Sequence, residues 1–350
     1  MRIEIATSSA GHGPVAAAKN LALALASASR GSAEVSVIDL PRQLGAMADL
    51  TVNRFYNFSL RHGLLWNRIG VGVSFRLDWA RIGRFMSRGP ETPIPGLRAD
   101  AVVFTTPWLV EQALDGLAPE VKTHAVVLDL GPPLSPGWAC AGISHVYAPT
   151  ADARDALGGR GDVLGVPVFP PGTNGGESRC EKCDGAPSVL LMGGRSGYAN
   201  LPALLRGLST RGGLHLTALS GTDPAFRASL ERIASHAQSH IVVRPFVAEV
   251  SPLLATHDVV LSKPGALTIG EALAHGKPLL LDGSGGLMPQ EIGNARFVER
   301  SGAGILLRSP ADFSKAMDRV IEEPMYARAA GSLTGLAGAE RLAAAILRET

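Results

Sequence analysis

The sequence predicts an α/β chain built as two Rossmann-like halves joined by one linker. Three observations carry that expectation. The chain opens on a strand, a small-residue turn and an Ala/Leu-rich helix; the same rhythm restarts after one Gly- and Pro-rich stretch; and 350 residues exceed what a single core usually fills.

The opening unit is IEIATSSAGHGPVAAAKNLALALASAS, with the turn at Ser8–Gly13 and the helix starting near Pro14, whose fixed φ suits a first helical turn. Further strands are expected at Glu34–Asp39, Ala101–Thr105, His124–Leu128 and His145–Ala148, each apolar or β-branched and bounded by turn residues. Their alternation with helical segments implies parallel pairing. From Gly158 to Pro187 Gly and Pro dominate, the composition of a surface connection. Beyond it come strands at Ser188–Met192, Leu214–Ser220, Ile241–Arg244 and Val259–Ser262, with helices from Leu201 and from Pro224 to about His236. The expected division is residues 1–170, a linker at 171–187, and 188–350, the last helix packing back on the first half.

The composition excludes several classes. With 46% hydrophobic and 18% charged residues the chain is neither disordered nor fibrous, and a net charge of +2 gives no general attraction for nucleic acid. Three cysteines make no disulfide framework, and Cys180-Glu181-Lys182-Cys183 is one pair where a tetrahedral zinc site needs two, so it reads as incidental linker sequence. Met1–Ala10 lack the features of a secretory signal, and no run of about 18 apolar residues is present. The expectation is a cytoplasmic chain with at most peripheral contact at the inner face of a membrane.

The densest motif runs from Val259 to Leu273: a strand, then Lys263-Pro264-Gly265, then a helix opening on Ala266, Leu267 and Thr268. Exposed amides at such a helix start form an anion site. Glu271 falls one turn inside, where a carboxylate can accept from vicinal ribose hydroxyls, so a nucleoside diphosphate suits the geometry. The next strand, Lys277–Asp282, leads to Pro289-Gln290-Glu291 and Asn294, side chains that suit sugar hydroxyls.

Together SKPGALTIGEAL (262–273), GKPLLL (276–281), PQEIGNA (289–295) and SGAGI (301–305) resemble the C-terminal half of the family 28 glycosyltransferases. Within that family the chain is most similar to the monogalactosyl- and processive diacylglycerol glycosyltransferases, and more distantly to the lipid II N-acetylglucosaminyltransferase. The resemblance implies the GT-B fold, acceptor recognition in residues 1–170 and nucleotide-sugar recognition in residues 188–350. It puts Glu271 on the ribose and Gln290, Glu291 and Asn294 at the donor sugar. It also implies that Phe246 and Val247, in Arg244-Pro245-Phe246-Val247, face the uracil of a UDP-sugar. Met192-Gly193-Gly194 resembles the entry to the second half, and Ser8-Ser9-Ala10-Gly11-His12-Gly13 the glycine-rich first loop, with Gly11 on the donor. The segment from Leu128-Asp129 through Trp138 to Thr150 resembles the acceptor side. Departures are Ser9 and Ala10 in place of glycines, Gly13 for a basic residue, and Leu128 for threonine.

Inverting transfer needs a base for the acceptor hydroxyl and positive charge or amides for the leaving diphosphate. Asp129 and His12 are the candidate bases. Asp129 equally suits a cap on the following turn, and His12 a bond to its own turn. With no Asp-x-Asp pair at a strand end, no cofactor or metal is expected, and the helix amides with Lys263 or Arg195 take the diphosphate charge. The expected partners are a UDP-sugar, a lipid or hydrophobic acceptor, and an anionic membrane met through residues 51–89, where Arg54, Arg61, Arg68, Arg76, Arg81, Arg84 and Arg88 interleave with aromatics. A solvated basic face over a buried aromatic stripe is the other reading of that segment. A tailoring transferase, a UDP-sugar 2-epimerase and a non-catalytic binding member are the alternatives for the whole chain.

Overall fold

The computed structural model describes residues 1–54, 57, 99–172, 185–195, 197 and 200–350. Most of the basic aromatic segment, with Arg61 to Arg88, and the pair Cys180 and Cys183 lie outside the described residues. Arg54 is described, and its Nε lies 3.0 Å from Asp49 Oδ2.

Among the described residues the strands form two parallel six-stranded sheets. The first takes β1 (Arg2–Thr7), β2 (Glu34–Asp39), β3 (Ala101–Phe104), β4 (Lys122–Val126), β5 (His145–Ala148) and β6 (Asp162–Val163) in the order β2-β1-β3-β4-β5-β6. The second takes β7 (Ser188–Met192), β8 (His215–Leu219), β9 (His240–Arg244), β10 (Val259–Ser262), β11 (Leu279–Asp282) and β12 (Gly304–Leu307) in the order β12-β11-β10-β7-β8-β9. The central strands AVVF, SVLLM, VVLS and LLLD are buried along their whole length, as strands covered on both faces must be, whereas edge β9 alternates between exposed and half-buried residues. The Gly-rich stretch read as pure connection holds β6, whose two residues pair with Tyr147 and Ala148 at the sheet edge. Strand β4 starts and stops two residues before its expected position, although Val127 still donates to Tyr147 O at 2.9 Å.

The helices follow the strands: α1 (Gly13–Ala28), α2 (Val110–Asp115), α3 (Ala151–Ala156), α4 (Leu201–Ser209), α5 (Pro224–Ala234), α6 (Ser251–Thr256), α7 (Ala266–Ala274), α8 (Pro289–Ser301), α9 (Phe313–Glu322), α10 (Pro324–Ser332) and α11 (Ala339–Glu349). Short helical turns also lie at Leu40–Gln43 and Ala46–Ala48. Helix α1 buries Ala17, Ala18, Leu21, Ala24 and Leu25; the small side chains allow close approach to β1, β2 and α11. On α11 the buried face is Ala339, Leu342, Ala343, Ala345 and Ile346, the helical spacing of an amphipathic stripe.

Two compact units result. Unit 1 comprises Met1–Phe169, Met288–Gly293 and Leu336–Thr350; unit 2 comprises Pro170–Leu287 and Asn294–Gly335. The return to unit 1 is fixed at Gly165, whose φ of +87° and whose close approach to the Leu336 carbonyl leave no room for a Cβ. Val166 N donates to Leu336 O at 2.9 Å beside it. The core of unit 2 joins β7, β8 and β10 to α4 and α9 through Val189, Leu191, Leu205, Leu216, Leu261 and Met317. Each such side chain contributes roughly 1.5–3 kcal/mol relative to exposure.

Candidate functional site

Open parallel sheets bind ligands beyond the carboxyl ends of their strands, where the strand order reverses. In unit 2 that point lies between β7 and β10, because β8 and β9 extend the sheet on one side and β10 to β12 on the other. The loop after β7 carries Gly193, Gly194 and Arg195. Gly193 N donates to Leu219 O at 3.2 Å, and a Cβ at 193 would come within 2.6 Å of that oxygen. Arg195 O accepts from Thr222 N at 2.8 Å and from Thr222 Oγ1 at 3.1 Å. Gly221, at φ +78°, lies so close to the Gly194 and Arg195 carbonyls that only glycine fits. Its own carbonyl accepts from Phe246 N at 2.8 Å. Three successive loops are thereby tied together, and they set the Arg195 guanidinium 5.3 Å from the centroid of Phe246, a cation–π pair. Val247 follows, half-buried.

On the other side of the reversal β10 ends at Ser262, and Lys263, Pro264 and Gly265 turn into α7. Gly265 N donates to Lys263 O at 2.7 Å, and Gly265 is the extended N-cap residue, with φ −78° and ψ 126°. It provides no side-chain cap, and the first turn holds no acidic residue. The amides of Ala266, Leu267 and Thr268 thus open a helix whose own first turn carries no carboxylate to offset their partial positive charge. Asn294, buried on α8, braces this turn: its Nδ2 donates to Pro264 O at 3.0 Å. The far end of α7 is fixed by His275, whose Nδ1 lies 3.0 Å from Glu271 O and whose Nε2 lies 2.9 Å from Ser251 Oγ on α6. Burial holds the His275 imidazole below its ordinary pKa.

Glu271 is half-buried on α7. Desolvation, with a smaller repulsion from Glu249, pushes its carboxyl up to about 7. Perturbed acids of this kind concentrate at functional sites. Glu249 was not singled out by sequence reasoning; its only sequence signal is its place in the loop that also holds Phe246 and Val247.

In unit 1 the order reverses between β1 and β3. The loop after β1 is held by Asn57, whose Oδ1 accepts from Gly11 N at 3.0 Å and whose Nδ2 donates to Ser9 O at 2.7 Å. Ser9 Oγ bonds Asp39 at the end of β2. Gly11 has φ +77°, and His12 is the N-cap residue of α1, with no side-chain cap bond. The loop after β3 contributes Thr105 and Thr106, both fully buried and both absent from the sequence-based set; Thr105 Oγ1 donates to Pro14 O at 3.3 Å.

Asp129, 7% exposed, follows β4. Its Oδ2 accepts from Ser135 N and from Trp138 Nε1, each at 2.9 Å. Burial raises its pKa against the pull of those donors. The carboxylate therefore braces the turn it precedes while keeping an elevated proton affinity. The first turn of α8 also belongs to unit 1: Gly293 abuts the Gly131 carbonyl too closely for any Cβ. There Glu291 Oε2 accepts from Met288 N at 3.1 Å, a cap at the helix start, with half-buried Gln290 beside it. Gln290 and Glu291 thus cluster with unit 1, and Asn294 with unit 2.

Among the described residues no helix is long and apolar enough to cross a membrane, and no group of three or more His, Cys, Asp or Glu side chains is placed to hold a metal ion.

Comparison with known proteins bears on both halves. The chain is 26% identical over 315 residues to the probable monogalactosyldiacylglycerol synthase 2, chloroplastic, of Oryza sativa subsp. japonica, covering 82% of this chain and 66% of that protein. It is 24% identical over 291 residues to monogalactosyldiacylglycerol synthase 1, chloroplastic, of Arabidopsis thaliana, covering 75% and 54%. The chain therefore spans between about half and two thirds of the length of these relatives. Among solved structures, spinosyn rhamnosyltransferase SpnG superposes with a TM-score of 0.61 at 17% identity over 99% of both chains. MurG of Acinetobacter baumannii gives 0.59 at 12% identity, again over 99% of both, so the fold is that of the GT-B glycosyltransferases. The model of the glycosyltransferase family 28 C-terminal domain matches residues 189–330, the segment that carries the β7 and β10 loops. That segment is thus similar to the glycosyltransferase family 28 C-terminal domain, in a chain similar over most of its length to the monogalactosyldiacylglycerol synthases.

Proposed function

We propose that the chain is an inverting, metal-independent glycosyltransferase that moves a hexose from a UDP-sugar to a hydroxyl of a lipid or lipid-like acceptor. The observation that carries the reading is the start of α7 at the strand-order reversal, with uncapped amides, no acidic first turn, and Glu271 one turn inside. In this reading the amides of Ala266, Leu267 and Thr268, with Lys263 and Arg195, take the diphosphate; Glu271 accepts from the ribose hydroxyls; Phe246 and Val247 face the uracil. Gly11, Gly193, Gly194 and Gly265 let the backbone approach, and Gln290, Glu291 and Asn294 serve the sugar. The acceptor oxygen attacks the anomeric carbon and its proton passes to Asp129 or His12. The bond from that carbon to the diphosphate oxygen breaks, and UDP leaves with the bonding pair.

A lipid acceptor is favoured by the relatives, whose names specify synthesis of a diacylglycerol glycolipid. The basic, aromatic-rich segment 51–89 suits contact with an anionic membrane on sequence grounds alone. The test is mass spectrometry of products after incubation with a panel of UDP-sugars and a lipid extract. A new glycolipid with release of UDP supports the reading. Turnover of the nucleotide sugar without acceptor, or no turnover with UDP bound, overturns it.

A further inference from the structure

Strands β8 and β9 each begin on a histidine, and their register sets His215 opposite His240. Register partners on adjacent parallel strands project on the same face. The two Nδ1 atoms are 3.3 Å apart and the ring centroids 5.2 Å apart. At that separation only one of the facing nitrogens has room for a proton, so at least one imidazole lone pair is directed at its neighbour. Two nitrogens each 2.0–2.1 Å from one tetrahedral ion lie about 3.3–3.4 Å from each other, so the pair already has the required bite. His215 is half-buried and His240 exposed, which leaves water access for the remaining coordination positions.

The pair sits at the amino ends of its strands. The loops holding Gly193 and Phe246 leave the opposite ends, roughly 13 Å away at 3.3 Å per residue. Strand β9 is also the edge of its sheet. An ion held by both rings would therefore fasten an edge strand to its neighbour without touching the residues assigned to the donor.

We propose that His215 and His240 form a two-imidazole chelating site for a borderline transition-metal ion, zinc foremost, with water completing its shell. Imidazole nitrogen selects zinc, nickel or copper over magnesium and calcium, and the order of affinities places copper(II) above zinc. The proposal does not rest on the glycosyltransferase reading.

The test is calorimetric titration of tag-free full-length protein with zinc chloride, in a background carrying Cys180→Ser and Cys183→Ser so that thiolates do not bind the metal. One ion per chain is expected, with copper(II) tighter and magnesium silent. His215→Gln and His240→Gln should each weaken zinc binding at least about tenfold, which is 1.4 kcal/mol. His236→Gln, at a surface histidine whose Nδ1 lies 3.0 Å from Arg232 O, should change nothing. Saturating zinc should raise the melting temperature of the background protein and of neither site variant, since a ligand of the folded state alone stabilises it. Zinc binding that survives both site substitutions, or no binding at millimolar zinc, overturns the proposal.

Discussion

Replacing Glu271 by glutamine should stabilise the fold at the expense of the ligand, and the two effects can be measured separately. The carboxyl titrates at 4.5 in the unfolded reference and at about 7 in the folded chain. Between those values the native chain holds a proton that the unfolded chain has released. The stability this contributes is fully present below 4.5, falls as the pH rises through the window, and is gone above about 7. The gap corresponds to roughly 3 kcal/mol, most of it lost between pH 5 and pH 8. Glutamine keeps the shape and cannot ionise, so Glu271→Gln should gain on the parent by roughly 2–3 kcal/mol as the pH is raised from 5 to 8. Urea unfolding at the two pH values reads this directly, provided the denaturant slope is unchanged. Over the same range the parent's affinity for UDP should rise, because the ionised carboxylate is the form that accepts from two ribose hydroxyls. At pH 8 the variant should bind UDP at least about tenfold more weakly, given charge-assisted bonds of about 1.5–3 kcal/mol each. A stability difference that stays constant within about 0.5 kcal/mol from pH 5 to pH 8 would show that neither burial nor Glu249 perturbs Glu271, and the linkage argument would fail.

If Asp129 is the base, Asp129→Asn should lower turnover by about 10²–10⁴ with UDP affinity intact, and His12→Ala should cost less; the reverse order assigns His12, and normal transfer by both variants removes both. Trp138→Phe deletes a donor that favours the ionised Asp129, so the acid limb of the pH–rate profile should move to higher pH; an unmoved limb separates Asp129 from the titration it reports. Excess EDTA should leave transfer intact, since the diphosphate is assigned to the α7 amides; a loss restored only by magnesium or manganese refutes that assignment. Gly221→Ala forces a side chain into the Gly194 and Arg195 carbonyls at φ +78°, and should lower both UDP affinity and melting temperature by the equivalent of at least about 1 kcal/mol, whereas a silent substitution would show that the three loops are not coupled.

The elements that a one-dimensional pattern can encode were legible. Fully apolar runs such as VVLS and LLLD announce central parallel strands, and Pro14 and the alanines behind it announce α1. Strand β6 was not legible, because two paired residues inside a glycine-rich stretch leave no periodicity to detect. The site divides in the same way. Lys263 to Glu271 lie within one strand-turn-helix unit, so sequence order already places them together. The stacking of Arg195 on Phe246 depends on Gly221, which has no motif of its own, and joins residues 51 positions apart. The pressure of Glu249 on Glu271 and the separation of Glu291 from Asn294 into different units are likewise products of packing.

The course of the chain through its two units also bears on how the protein is made. Unit 2 is complete once Gly335 has been synthesised, but unit 1 still lacks Leu336–Thr350, including the helix that lies against α1. Until that helix arrives, α1 and the first sheet leave the ribosome with an apolar flank uncovered, a state that favours association with other chains. A fragment ending at Phe169 would carry the same defect permanently, so it should be less soluble than its regular strand pattern suggests. The half translated first is the half finished last.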